Sequence, residues 1–426
     1  MRVGVQFCPG VLYPVPAKDG LLVRIRTPGG MVDAEQLRSI AGLSRAFADG
    51  MVEITSRSNL QLRAIRPEHV ELLAQGIIDA GLLPSLQHDR VRNIAASPLA
   101  GADELEIVDV RALVRQLDES LQAECRFVEL DPKFSFALHG GGRRFTPNRD
   151  DVALECFTTK EGIYFQLLIA GENSGFAISS EHAVPCMLRI ARNCGDLSLE
   201  ALVPARTKHI IVQPDGMKRL LSGLENILLS SPKKTFAPRS EEALVGIQAP
   251  SRDGYVTISP TVALGRLTAA QTECLAIVAR EYAGDLRLAP WRGVVLNRIR
   301  ELSSSAVVGK LEEAALSCSG DNGFQGIAAC AGSAGCEASH ADVRSHAVLL
   351  ARHLADNKVP AGWAVNLSGC EKQCARRHGA TAEMIAGESG YTLKIRGALV
   401  ATACSSDFAL NAIYALHQQS LLEVVS

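Results

Sequence analysis

Gly20-Leu-Leu-Val-Arg-Ile-Arg-Thr-Pro-Gly-Gly30 begins as a β-rich run and closes on a Thr-Pro-Gly-Gly turn, the pattern of a strand that ends in a tight reversal. Downstream, Asp33 offers an N-cap to a helix over 33–48, where Leu37, Ile40, Leu43 and Phe47 share one stripe. A strand over Met51–Ser56 runs through Arg57 into a third apolar stretch that ends at Ile65. A second helix is predicted over about 68–81. The order β-α-β-β-α is a ferredoxin-like half unit.

That order returns. Gly254-Tyr-Val-Thr-Ile258 opens a strand, and Thr268-Ala-Ala-Gln271 starts a helix carrying Leu275, Val278 and Tyr282. Asp285-Leu-Arg-Leu288 begins the next strand, and a helix covers about 304–317. Gly20 and Gly254, Gln36 and Gln271, and Ile65 and Ile299 are each 234 or 235 positions apart. Leu296 and Ile299 fall where Leu62 and Ile65 fell. The tips differ: Thr55-Ser-Arg57-Ser-Asn59-Leu-Gln61 in the first copy is polar, and Ala289-Pro-Trp291-Arg292-Gly-Val-Val295 in the second has lost most of that chemistry.

The predicted fold class is therefore α+β, internally duplicated, with two ferredoxin-like half units and two larger α/β lobes in a pseudo-twofold arrangement. The expected divisions are a first half unit over 1–85, a first lobe over 86–232, a linker over 233–252, a second half unit over 253–317 and a second lobe over 318–426. In the last, a helix is expected at about 341–356, strands at 361–367 and near 391–402, and a terminal helix at about 405–423.

At 426 residues the chain has ample length for several cores, and 47% hydrophobic with 21% charged residues is an ordinary globular balance. A net charge of −2 points to neither nucleic acid nor an anionic membrane. No apolar run approaches the ~20 residues that span a bilayer, and Met1–Gly10 lacks the apolar core of a signal peptide. A cytoplasmic protein is expected. Most of the twelve cysteines are scattered, as small buried hydrophobes are. Cys8, in Cys8-Pro9-Gly10, is either functional or a turn residue.

Four others are patterned: Cys330-Ala-Gly-Ser-Ala-Gly-Cys336, then Cys370-Glu-Lys-Gln-Cys374. Small residues surround both pairs, as a [4Fe–4S] cluster requires if slim backbone is to approach its sulfides. Structural zinc favours pairs separated by two to four residues, which the first pair does not fit, and a redox dithiol needs a C-x-x-C pair that is absent. Cys330, Cys336, Cys370 and Cys374 are therefore expected to hold a cluster.

This spacing, with Ser368-Gly369 ahead of the second pair, resembles the cluster motif of the nitrite/sulfite reductase superfamily. Thr55-Ser-Arg57-Ser-Asn59-Leu-Gln61 is similar to its Thr-Thr-Arg-Gln-x-x-Gln segment, Val91-Arg92-Asn93 to its Arg-Asn, and Leu130-Asp-Pro-Lys133-Phe134 to its Leu-Pro-x-Lys-Phe. Within it, the stretches Cys8-Pro9-Gly10, Gly20–Gly30, Thr55–Arg63, Asn93–Gly101 and Gly140-Gly-Gly142 resemble the precorrin-3B synthase family. The resemblance implies a monooxygenase of aerobic cobalamin biosynthesis that converts precorrin-3A to precorrin-3B with O2 and external reductant. It further implies a mononuclear non-haem iron, no sirohaem, and electrons from an NADH-linked reductase. A sirohaem-dependent sulfite or nitrite reductase is the alternative, and a non-catalytic tetrapyrrole or Fe–S carrier a third.

Arg57, Arg92 and Lys133 are the expected catalytic residues. Arg57, Asn59, Gln61, Arg63, Arg92, Asn93, Lys133, Gly141, Gly142 and Arg143 are the expected substrate contacts, since planar guanidinium forks suit a substrate rich in carboxylates. A solvated surface cation is the alternative for each Arg, and a plain hairpin for the glycines. The reductases carry a second lysine where this chain has Ser135, which argues against a small oxyanion as substrate. No spacing singles out an iron triad among His88, Asp89, His139, His340 and His378.

Overall fold

The computed structural model describes residues 8–143, 150–231, 244–248, 253–283, 285–360, 362–376 and 379–425. Most of the expected linker, with His378, lies outside these residues.

Both half units form, and both first helices begin with the same device. Asp33 accepts the backbone N–H of Gln36 and Thr268 that of Gln271, while each glutamine side chain returns a bond to the cap's own N–H. The helices, Ala34–Phe47 and Ala269–Val278, pack side by side. The second helix passes into a π turn at Ala279–Ala283, and Tyr282 still packs against the core that holds Leu275 and Val278. Leu62, Ile65, Leu296 and Ile299, paired by the repeat, are all fully buried.

The halves are not separable. The first sheet orders its strands Val15–Ala17, Gly20–Ile25, Leu60–Ile65 and Met51–Ile54, then accepts Arg266–Thr268 from the second copy. The second sheet orders Gly246–Ile247, Tyr255–Ser259, Gly293–Arg300 and Asp285–Ala289, and accepts Met31–Val32 from the first. Each copy thus lends the short strand before its helix to the other's sheet. One core joins them, from Val23, Ile25 and Leu37 to Leu275 and Leu296.

The duplication extends to the lobes, where sequence showed no repeat. In the first lobe the strands Ile94–Ala96, Phe136–His139 and Val152–Thr159 are parallel, and Gly162–Ile169 and Glu172–Ser179 continue antiparallel. In the second, Ile327–Ala329, Val365–Ser368 and Ala382–Gly387 are parallel, and Gly390–Ile395 and Ala398–Cys404 continue antiparallel. A helix crosses between the first two strands of each lobe, Arg111–Gln122 and Val343–Leu354. Another follows the antiparallel strands, Ala183–Ala201 and Ser406–Val425.

Glu53 joins three of these units. It sits on the strand Met51–Ile54, is 3% exposed, and pairs with Arg344 of the second lobe at 2.5 Å and Arg266 of the second half unit at 3.2 Å. Its other oxygen accepts from Gln61 Nε2 at 2.8 Å. Burial pushes its carboxyl up, but Arg344, Arg292, Arg63 and Arg266 more than offset this and hold it below the usual range.

Glu106 behaves in the opposite way. Burial first, with Asp109 and Asp103 adding to it, pushes its carboxyl up to about 7, although it accepts the Gly101 N–H at 2.6 Å. It packs against Gly140, where an added Cβ would lie 2.4 Å from its Oε1 and 2.1 Å from the Val108 carbonyl. That close packing explains part of the Gly140-Gly-Gly142 run: Gly141 has φ of 90°, and a Cβ on Gly142 would lie 2.7 Å from Asp103.

Two outcomes follow. Glu53→Gln strands buried cations and is expected to cost about 3 kcal/mol in chemical denaturation near neutral pH, the order seen when one partner of a buried pair is removed. Because the folded form of Glu106 holds its proton more tightly than the unfolded chain, its contribution is complete below about pH 4.5 and is lost as pH rises through about 7. Thermal unfolding of Glu106→Gln should therefore show a shallower decline in Tm between pH 5 and 8 than the parent, with the variant the more stable at the upper end.

Candidate functional site

The polar turn kept only in the first copy is a rigid mount. The Thr55 hydroxyl accepts the Arg57 N–H at 3.3 Å and the Asn59 N–H at 3.1 Å, and Ser58 takes φ of 56°. Asn59 Oδ1 accepts the Thr27 N–H at 2.9 Å. Arg57 is thereby held outward, about a third exposed, with its Nη1 3.1 Å from Asp150. Asp150 is 1% exposed and its second oxygen has no hydrogen-bond partner.

Gln61 is a bridge: it accepts from Arg24 Nη2 at 2.9 Å and donates to Glu53. Asn93 is another. Its Oδ1 accepts Arg26 Nε at 2.7 Å, and its amide donates to the carbonyls of Pro132 and Phe134, each at 3.0 Å. That fixes the segment bearing Lys133, whose side chain is exposed. Arg63 forks onto Asp19 at 2.9 Å for both bonds and also donates to the Gly335 carbonyl, tying the first half unit to the cysteine lobe. Arg92 forks onto Asp118 at 2.7 Å for both bonds. Arg143 is exposed beside Asp103, which accepts its backbone N–H at 2.6 Å.

The expected contacts therefore divide. Arg57, with exposed Lys133 and Arg143, can still meet a ligand. Asn59, Gln61, Arg63 and Asn93 are engaged in holding the scaffold. Ser135 is fully buried, and its hydroxyl has no hydrogen-bond partner, while its N–H donates to Asp151 at 3.0 Å.

Two arginines were missed. Arg24 and Arg26 alternate with the buried Val23 and Ile25, so both leave the strand on the face away from that core. Strict alternation of cation and hydrophobe was the signal. Arg26 is enclosed, donating to Asn93, the Pro9 carbonyl and, at 3.6 Å, Cys8 Sγ. Arg24 is freer. Its Nε is buried without a partner, and burial, then the charge of Arg57, lower its pKa, with Cys8, Cys374 and Glu53 acting the other way. The charge of Arg57 thus bears on Arg24 as a like charge, and the buried Arg24 Nε is a donor that an anion could satisfy.

The expected metal centres need correcting. Cys330 and Cys370 follow adjacent parallel strands, and Cys330 Sγ accepts the Gly369 N–H at 3.2 Å. Cys336 lies past the one-turn helix Gly332–Gly335 on the Arg63 side, and Cys374, after Gln373 with φ of 47°, is exposed. Among the described residues no group of three or more His, Cys, Asp or Glu is arranged to hold a metal ion. That finding overturns both the [4Fe–4S] assignment to Cys330, Cys336, Cys370 and Cys374 and the mononuclear iron. The spacing brings the thiols into one lobe without making them converge on a point. His88 is engaged with Ser85 at 2.7 Å and the Glu124 carbonyl at 3.1 Å, and Asp89 with the Leu12 N–H at 2.9 Å; His139 is buried and His340 exposed.

Among the described residues, no helix is long and apolar enough to cross a membrane. The nitrite/sulfite reductase ferredoxin-like half domain matches residues 13–80 and 247–314, the two copies of the repeat. The nitrite and sulphite reductase 4Fe-4S domain matches 87–177, a stretch that contains Cys125 and Cys156 and none of the patterned four. A precorrin-3B synthase from Sinorhizobium sp is 29% identical over 93% of this chain and 84% of its own length. A chloroplastic ferredoxin–nitrite reductase of Zea mays is 26% identical over 83% of this chain and 67% of its own. The structure of the Mycobacterium tuberculosis NirA protein superposes with a TM-score of 0.78, at 21% identity, over 92% of this chain and 79% of that one. With the half domain present twice, its partner domain between the copies and the same fold throughout, the chain belongs to the nitrite/sulfite reductase superfamily.

Proposed function

We propose an oxidoreductase that works on or with a carboxylate-rich tetrapyrrole laid against the face of Arg24 and Arg57. The observation that carries it is the buried, unpartnered Nε of Arg24, on which the charge of Arg57 also bears. Unpaired buried donors are costly unless a ligand satisfies them. Lys133 and Arg143 offer further exposed cations for peripheral carboxylates. Arg57 and Lys133 keep their place as proposed catalytic residues, while Arg92, forked onto Asp118, lines a separate cavity.

Two finer readings divide the superfamily. The range of relatives weighs towards a sirohaem-dependent nitrite or sulfite reductase: ferredoxin–nitrite reductases from plants and cyanobacteria and a mycobacterial sulfite reductase all match more than three-quarters of this chain. Ser135 weighs towards the other, a precorrin-3B synthase. A buried hydroxyl stands where a reductase would place a second cation for its oxyanion, and the synthase relative covers 93% of this chain. In that reaction one oxygen atom of O2 enters the macrocycle at C20 and the other leaves as water, with two electrons from an external reductant. The protein's part is to hold the carboxylates and so present one carbon of the ring. The division at 86–232 and 318–426 makes each lobe one wall of the site.

Incubation with reductant and either nitrite, sulfite, or precorrin-3A with O2 separates these. The synthase reading expects a product one oxygen heavier by mass spectrometry and no consumption of nitrite or sulfite. A sirohaem spectrum in the purified protein with oxyanion turnover would instead establish the reductase. Binding of tetrapyrrole with neither turnover would leave a carrier. Under either enzyme reading, Arg57→Ala should weaken tetrapyrrole affinity about tenfold or more, the worth of one charge-assisted hydrogen bond, read by fluorescence quenching below the variant's Tm, which falls because the buried Asp150 loses its partner.

A further inference from the structure

A cavity of about 490 Å3 opens where the start of the helix Ala34–Phe47, the helix Arg111–Gln122 and the strand Asp285–Ala289 meet. It is distinct from the face above: Arg24, Arg57, Arg63, Lys133 and the four cysteines are not in its wall, and the guanidinium of Arg26, which is, is spent on Cys8, Pro9 and Asn93.

The wall holds five arginines against three aspartates. Every aspartate is occupied. Asp118 takes the Arg92 fork, Asp285 pairs with Arg287 at 2.7 Å and Arg111 at 3.2 Å, and Asp33 caps its own helix. Arg115 is left over: it is exposed, has no ion pair among the described residues, and bears on the buried Arg287 as a like charge. Independently, Arg92, 6% exposed in its side chain, keeps a buried Nη1 with no hydrogen-bond partner. A surplus cation beside an unsatisfied buried donor in an open cleft is chemistry that favours an anion.

We infer that this cavity binds a small anion, carrying carboxylates or a phosphate group, through Arg115 and the unpartnered Nη1 of Arg92. Asp109, outside the lining, pairs with Arg111 at 2.6 Å, so Arg115 and the Arg92 Nη1 are the groups left to meet a ligand. The volume is in the range of small-molecule pockets. The inference is independent of the tetrapyrrole reading, since it uses none of that face's exposed cations.

The test is thermal unfolding and titration calorimetry of the full chain with citrate and, separately, inorganic phosphate, at ionic strength held constant with sodium chloride. A saturable rise in Tm with one or both anions is expected, and the anion that acts identifies carboxylate or phosphate as the group recognised. Arg115→Gln, a change at an exposed and unpaired residue, should weaken the dissociation constant about tenfold. No saturable response to either anion, or an equal response in Arg115→Gln, would overturn the assignment.

Discussion

The Glu53 carboxylate is the constraint on which the assembly turns. One buried anion sits among cations from three units: Arg63 on its own sheet, Arg266 and Arg292 from the second copy, and Arg344 from the cysteine lobe. Taking so many charges out of water is favourable only if the anion is in place. Arg292 makes the dependence explicit. Half-buried, it donates to the Ile54 carbonyl at 2.9 Å and to the Ala329 carbonyl, beside Cys330, also at 2.9 Å. The strand exchange between the half units and the docking of the last lobe therefore share one electrostatic centre.

That centre also explains how the candidate face is kept charged. Gln61 passes the influence of Glu53 outward to Arg24, fixing one edge of its guanidinium and leaving Nε free. Arg57 is presented by a turn in which the Thr55 hydroxyl and the Asn59 amide oxygen are used on the backbone. Binding energy can then go into the ligand rather than into ordering the side chains that meet it.

Much of this was legible in the sequence, for physical reasons. The repeat showed because two capping boxes and two pairs of buried aliphatics are local features, fixed by helix ends and strand alternation. The strand exchange did not show, since Met31–Val32 and Arg266–Thr268 are too short to say which sheet they join. Of the motif residues, Arg57 was read as a ligand contact and does face outward. Gln61, Arg63 and Asn93 looked the same in sequence and are bonded to protein groups, because a polar residue in a motif does not reveal whether its partner is protein or ligand. The cysteine spacing misled for a related reason: it fixes which loops carry thiols, not whether those loops bring them to one point. Arg24 was overlooked because it lies inside a strand and was counted as part of that strand's pattern.

The most direct measurement is a structure of the protein with a carboxylate-bearing uroporphyrinoid bound. The account predicts macrocycle carboxylates within hydrogen-bond distance of Arg24 and Arg57, with Arg63 still forked onto Asp19. A macrocycle seated elsewhere, or one whose carboxylates face solvent while Arg24 Nε stays unpartnered, would contradict it.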